Sequence, residues 1–572
     1  MCRMGFAALG WVPGRVWGEA GYAPVREYAL LVWEYLIAKP NTTHTAGGHF
    51  QVKDSSSKRG RGERAQAARR RLARRLAREE QLIGRRLKAA VGPNERGPVL
   101  GRGNAVYEMS ERARGTVHGG MGLITRLVAS VDLAGEIDSS LQLLAVHRPY
   151  FESDHVLNIA YNIVCGGKTL DDIEVRRGDR VFLDALGAAA LPDPTTAGDF
   201  CRRFDVASVM ALQAAVNRAR LKVWSRQDQS FFDQTARIDA DATIVGTDAQ
   251  TKAGMDISYK GIWGYSALVV SLANTGEPLF LGLHGANRPS HEGVVPLFAQ
   301  AISLCRQAGY RDILLRGDSD YSLTGQFDRW DGDGVRFVFG YDAKANLIKA
   351  AEGKPDDMYQ ELVAEAERRI ATRRRARPAN VKDGIVRDRG YKTIRPKKEE
   401  VVEFDYRPGK CAKDYRVVAL RKNLSIERGD NVLFEEHRFF FYITNDRALT
   451  AHQVVGEARD RCNQENLHAQ LKGARALHAP VNTLVANWAY MTMAILAWSI
   501  KAWCALLLPV NPRRADQHQK QRRALLAMEF RSFRQAFIEI PCQIVRHARQ
   551  VRWRVLGWNP WLEAFFRLAD AL

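Results

Sequence analysis

The stretch ARIDADATIVGT, residues 236–247, has the apolar, β-rich composition of a strand, yet it carries two carboxylates, Asp239 and Asp241. Residues two apart on a strand share a face, so both acids lie on one side of whatever sheet forms. A second run, DILLRGDSDY at 312–321, leads an apolar strand straight into Asp318, with Asp320 two positions on. An acid in or at the end of an apolar strand is costly unless it is paired, hydrated or bound to metal. Taken singly, each Asp also reads as strand-end punctuation.

The runs around these acids supply the rest of a mixed α/β unit. YSALVVSLAN and PLFLGLH read as further strands, GVVPLFAQAISLCRQAG as a helix and VRFVFGYDA as a last strand. Residues 346–376 read as helical, ending in Arg373–Arg375. Residues 380–445 turn to strands interleaved with Lys and Arg, and helices return from Thr450, the first running to about Lys472. Upstream, residues 115–225 read as helical; in LPDPTTAGDFCRRF, Thr195 or Thr196 can cap a helix that carries Arg202 and Arg203.

A third acid falls in ARDRCNQENLHAQLKGAR. Arg461 and Glu465 are i,i+4, and Lys472 lies seven residues further, so one helix face presents cation, carboxylate, cation. The same pattern fits an ion-paired surface helix. Two strand acids and a helix acid on an α/β scaffold form a carboxylate set whose mutual repulsion calls for cations. Mg²⁺ is a hard cation that takes oxygen ligands and grips phosphate. Two such ions support in-line phosphoryl transfer.

Lys plus Arg is 85 against 64 Asp plus Glu, a net charge of +21, which points to a polyanionic partner. With 46% hydrophobic residues, the composition excludes a wholly disordered chain. Residues 58–88 are dense in Lys and Arg, with Leu72, Leu76, Ile83 and Leu87 at helical spacing. This reads as a phosphate-tracking arm or as a solvated basic tail. The eight cysteines form no C-x-x-C pair and read as reduced thiols, which suggests an intracellular protein. Leu484–Leu508 is apolar, but Asn487 and Lys501 cut it below the length of about 20 residues that a span needs. We expect a buried core helix and no membrane partner.

In order, DADAT (239–243), SLANTGEPLFLGLHGANRPSHEG (271–293), RGDSDYS (316–322) and RDRCNQENLHAQLKGA (459–474) resemble the DDE transposases of bacterial insertion sequences. The group resembled has a catalytic core interrupted by a β-rich insertion domain, and the resemblance spans roughly residues 115–560. It implies a ribonuclease-H-like core with Asp241, Asp318 and Glu465 as catalytic, metal-binding triad for Mg²⁺ or Mn²⁺, two ions in all. Asp241 is preferred to Asp239 because the family's first acid stands two before Thr, here Thr243. Asp318 is preferred to Asp320 because it directly follows the strand and Gly317. The resemblance further implies that Arg461 and Lys472 contact DNA, with Arg202 and Arg203 in the helical DNA-binding region. The partners implied are double-stranded DNA, both element ends and target, and a second copy in a synaptic homodimer. The reaction implied is cut-and-paste transposition, in a cytoplasmic, nucleoid-associated protein. The family signature Y-x2-R-x3-E-x6-K is broken at its Tyr, which is Ala458 here; Arg459 or His468 could take over its phosphate contact. Candidates for an aromatic that stacks a flipped base are Trp330, Tyr391, Phe404 and Tyr406.

The expected organisation is a poorly ordered basic leader or arm (1–110), a helical DNA-binding domain (111–230) and the first part of the core (231–378). A β-rich insertion (379–446), completion of the core with the Glu helix (447–510) and a helical C-terminal tail (511–572) follow. Two rival functions remain: a decayed DNA-binding relative, and a metal-dependent nuclease without strand transfer.

Overall fold

Strand-forming runs of Val, Ile, Leu and Phe in the middle of the chain meet in one mixed sheet, and helices cover its apolar surface. The computed structural model describes residues 57–89, 114–147, 149–362, 381–429, 431–547 and 550–572. Of the expected leader, residues 1–56 and 90–110 lie outside the described residues, as do residues 363–376 of the expected helical stretch 346–376, whose beginning forms a helix over Ala345–Glu352.

The basic segment forms helix α1 (Ser57–Ala89), with Leu72, Leu76 and Ile83 half-buried. Helical segments follow, among them α2 (Glu152–Val164), α3 (Pro194–Arg202) and α4 (Val206–Trp224). The cap of α3 differs from expectation. Asp193 accepts from the Thr196 N–H at 2.8 Å, and Pro194 occupies the first helical position, where its missing N–H costs nothing.

Strand β1 (Ala236–Gly246) pairs antiparallel with β2 (Trp263–Leu272), which pairs antiparallel with β3 (Glu277–Gly285). Helix α5 (Val294–Ala308) returns the chain, so that β4 (Ile313–Gly317) lies parallel to β1 and β5 (Arg336–Tyr341) parallel to β4. Three long strands, β6 (Lys392–Tyr406), β7 (Tyr415–Arg428) and β8 (Asn431–Thr444), form a meander. The meander is not set apart from the sheet. Residues 441–444 of β8 pair with 338–341 of β5, so the β-rich insertion prolongs the same sheet.

Helices α6 (Ala451–Asp460), α7 (Asn463–Gly473) and α8 (Leu484–Leu506) come next, where one helix was expected from Thr450 to Lys472. The expected helical tail contains α9 (Ala515–Ala527) and α10 (Leu562–Ala571), but also a hairpin of β9 (Cys542–His547) and β10 (Gln550–Val555). CQIVRHARQVRWRV alternates at period two, a strand signal inside a region rich in helix formers. The hairpin also pairs with Gly115–Thr116, tying the tail to the start of the helical region.

The free edge of β3 is closed by side chains. Gln213 and Asn217 of α4 bond the main chain at Leu281 and Leu279, and Trp488 of α8 donates to the Leu281 carbonyl at 2.8 Å. An edge covered in this way cannot template further strands. Helix α8 is long and apolar enough to cross a membrane, yet it is enclosed by the fold. The two polar residues that interrupt it are bonded internally: Asn487 bonds the main chain at Val481, and Lys501 donates to the Leu526 carbonyl at 2.8 Å.

Candidate active site

The site begins with a helix start. Thr450 and Gln453 form a capping box, the Thr450 hydroxyl accepting from the Gln453 N–H while Gln453 accepts from the Thr450 N–H at 2.8 Å. Ala451, Val454 and Val455 of α6 then pack on Leu314, Val338, Val418 and Leu420. That seats Glu457 over the sheet, where Arg237 of β1 reaches it at 2.6 Å and Arg316 of β4 at 2.8 Å. Arg316 also makes a two-pronged bond to Asp239, at 2.7 and 2.8 Å. Burial works against the charge on Arg316, but Asp239 and Glu457 overcome it and raise its pKa. Asp239 is thus consumed by a buried ion pair.

Asp241 has a different environment. Its side chain is mostly buried and faces Arg461 (Nη1 to Oδ2, 3.6 Å) and His468 (Nδ1 to Oδ2, 3.8 Å). Burial above all lifts its pKa to about 6; Arg461 pulls it down, and the Asp318 and Glu465 carboxylates push it up. Asp318 ends β4 and caps the short turn that follows, accepting from the Asp320 N–H at 3.0 Å. Its pKa is also raised, first by burial and then by Asp320 and Asp342, against the pull of Arg461. The Arg461 guanidinium therefore serves both carboxylates, and its Nη1 lacks a hydrogen-bond partner among the described residues.

The chain bends at Arg461–Cys462. The N–H groups of Cys462, Gln464 and Glu465 reach carbonyls three residues back, so the turn tightens and α6 ends before α7 begins. Gln464 then pins α7 to β2: it accepts from the Ser271 hydroxyl and donates to the Val269 carbonyl at 3.1 Å. Val269 is the cross-strand partner of Asp241. The face of α7 turned inward is Gln464, His468 and Leu471, whereas Glu465 and Lys472 are exposed. The single shared face expected for Arg461, Glu465 and Lys472 is therefore altered by the bend.

The remaining sequence candidates fall as follows. Lys472 is exposed but partly desolvated; that desolvation, then nearby Lys260, lowers its pKa. Arg202 pairs with Asp199 and donates to Asn482 at 3.0 Å; exposed Arg203 donates to the Leu143 carbonyl at 3.3 Å. Arg459 is ion-paired with Glu399. His468 is buried, and burial, Lys472 and Arg461 lower its pKa to about 4, so it is neutral at neutral pH. Trp330 is buried among Phe298, Phe327, Phe337 and Phe339 and belongs to the core; Phe404 and Tyr406 are half-buried, and Tyr391 is exposed.

Sequence reasoning missed Asp342, which follows β5 beside Asp318 because β4 and β5 are parallel. The strand-into-acid pattern of VRFVFGYDA was the available signal. It also missed Tyr442 of β8, which packs against the same small cluster as Ala458.

The donor chemistry suits a hard divalent cation in part. Asp241 and Asp318 offer partly buried carboxylate oxygens whose repulsion a cation would relieve. Glu465 acts on Asp241 electrostatically but is not gathered with it. Among the described residues no three His, Cys, Asp or Glu side chains are close enough to hold a metal ion.

Residues 113–572 match the family described as Transposase DDE domain group 1. No curated protein matches the chain. Among solved structures, a piggyBac transposase synaptic complex with hairpin DNA aligns at 9% identity and a TM-score of 0.33, over 74% of this chain and 83% of that one. Members of the DDE transposase family depend in general on divalent metal for catalysis. With the match covering most of its length, the chain belongs to the Transposase DDE domain group 1 family.

Proposed function

We propose that this protein is the transposase of a bacterial insertion sequence, cutting DNA at the element's ends and joining the freed 3′ ends to a target. The observation that carries this reading is the partly buried Asp241–Asp318 pair, held on and at the end of neighbouring parallel strands with one arginine acting on both. Around β1 the sheet is antiparallel on one side and parallel on the other, which supports a ribonuclease-H-like core.

Asp241 and Asp318 would hold the metal, with Glu465 as the third acid. Mg²⁺ or Mn²⁺ bound there would activate a water or a 3′-hydroxyl and neutralise charge on the phosphate undergoing in-line transfer. Arg461 shields the two carboxylates from each other and adds positive charge where a phosphate would approach. Neutral His468 fills the space behind Asp241 without drawing off its negative charge. Exposed Lys472 would grip the DNA backbone two helical turns from Glu465. Arg202 and Arg203 would add phosphate contacts from the helical region. A second copy would complete the synaptic assembly.

The test is cleavage of the element's terminal DNA with Mg²⁺ by the parent chain, Asp318→Asn and Glu465→Gln, with target plasmid added to detect joining. Cleavage and joined product from the parent alone support the proposal. Binding by all three without cleavage by any supports the decayed relative, and cleavage without joining supports a nuclease.

A further inference from the structure

Between β1 and β2 the chain makes a hairpin that leaves the body of the sheet, pairing Asp256–Ile257 with Trp263–Gly264. Its tip is tightly built. The Gly261 N–H donates to the Ser258 carbonyl at 2.9 Å, the Ser258 N–H donates to the Ile262 carbonyl at 2.9 Å, and the Ile262 N–H donates to the Ser258 hydroxyl at 3.1 Å. Gly261 takes φ +74°, the left-handed conformation that closes a three-residue loop of this kind. The loop thus holds Tyr259 and Lys260 outward on a fixed scaffold.

What it holds out is unusual for a surface. Tyr259 is 87% exposed and Trp263 is 52% exposed, with Ile257 and Ile262 also exposed beside them. Lys260 Nζ lies 5.2 Å from the centre of the Tyr259 ring. Partial desolvation, and after it the charge of Lys260, lowers the pKa of Lys472 of α7. Two lysines brought together without a carboxylate repel each other, and a polyanion turns that cost into attraction. An exposed aromatic carried on a tight turn, with a lysine over one face and the other face open to solvent, matches the stacking platforms that hold unpaired nucleotides.

We infer that the Ser258–Gly261 turn is a DNA contact in which Tyr259 stacks on an unstacked base while Lys260 and Lys472 hold the adjoining phosphates. The inference rests on the transposase reading for its choice of partner. The turn grows from the strand whose Val269 pairs with Asp241, and Trp263 stands six positions before Val269, about 20 Å of strand. The base it takes therefore lies along the duplex from the reacting phosphate. A paired base exposes only its edge in a groove, so the strand bound here carries a base freed from its stack.

The probe is a duplex with 2-aminopurine in a two-nucleotide mismatched bubble, compared with the fully paired duplex, bound by the full chain. The parent should prefer the bubble and change the 2-aminopurine fluorescence. Tyr259→Ala should weaken bubble binding at least about fivefold and leave paired-duplex binding unchanged, while Tyr259→Phe and Tyr259→Trp retain the preference. Equal binding of the bubble by parent and Tyr259→Ala would overturn the inference. So would a loss of dimer in sedimentation with DNA affinity unchanged, which would make the turn a subunit contact. Cleavage by the parent is measured alongside. No cleavage with Tyr259-dependent bubble binding removes the transposase reading and leaves the turn's role standing; cleavage without Tyr259 dependence removes the turn's role alone.

Discussion

Asp239 and Asp241 lie on one strand two residues apart, and their neighbours give them different work. Asp239 is locked to Arg316, so Asp239→Ala would leave a buried guanidinium with one partner fewer and cost about 3–5 kcal/mol, read by chemical denaturation. Asp241→Asn should leave stability unchanged or slightly raised, because it removes a carboxylate that burial and its acidic neighbours disfavour. The two acids were legible as a pair from their spacing, but the division between them was not, because Arg316 stands 77 positions away. Gly340 is a second residue that the sequence hid. A Cβ there would come within 2.9 Å of the Ser319 nitrogen and 3.1 Å of the Asp318 carbonyl carbon, both main-chain atoms. Gly340→Ala should therefore push the Asp318 turn away from β5 and lower cleavage at least tenfold, with a smaller loss of thermal stability; full activity in a folded Gly340→Ala chain would contradict this.

At the scale of elements, β1 to β5 and α5 could be read from apolar runs of the right length: β2 and β4 bury almost every side chain, and α5 buries one apolar face. The bend between α6 and α7 could not, since it is made by main-chain bonds three residues apart in a sequence with helical spacing throughout. It turns Gln464 and His468 inward, and Glu465 outward. Helix α8 was legible as a core helix from the two polar residues that cut it. Burial lowers the Lys501 pKa to about 8 from an ordinary 10.5. Between those values the unfolded chain binds the proton and the folded chain does not, so stability rises with pH across that window. Below about pH 8 both states are charged and the full cost, on the order of 3 kcal/mol, is present. Lys501→Met should be more stable than the parent at pH 7, and the gap should close as pH rises toward 10.5 in paired denaturation curves. A gap independent of pH would show that the lysine is not strained in its charged form.

The whole molecule is organised around a sheet whose insertion was legible as β-rich but not as continuous with the core. The join is only the last four residues of β8 against β5, a pairing between segments about 100 positions apart. At the opposite edge, a buried cluster ties three elements together. Glu277 of β3 accepts from Arg220 of α4 at 2.9 Å and from Trp503 of α8 at 2.9 Å, with Trp224 at 3.2 Å. Glu277→Ala should destabilise the whole fold by about 3–5 kcal/mol, because it strands a fully buried Arg220; calorimetry of a single unfolding transition would register it. The net charge of +21 pointed to a polyanion, and family membership narrows the chemistry to DNA transposition in general. Everything proposed for the site requires divalent metal to bind at the Asp241–Asp318 pair. The most direct measurement is a Mn²⁺ titration of the full chain followed by electron paramagnetic resonance, with Asp241→Asn and Asp318→Asn beside the parent. The parent should bind saturably, and each variant should bind at least about tenfold more weakly while staying folded. Binding by both variants as tight as that of the parent would contradict it.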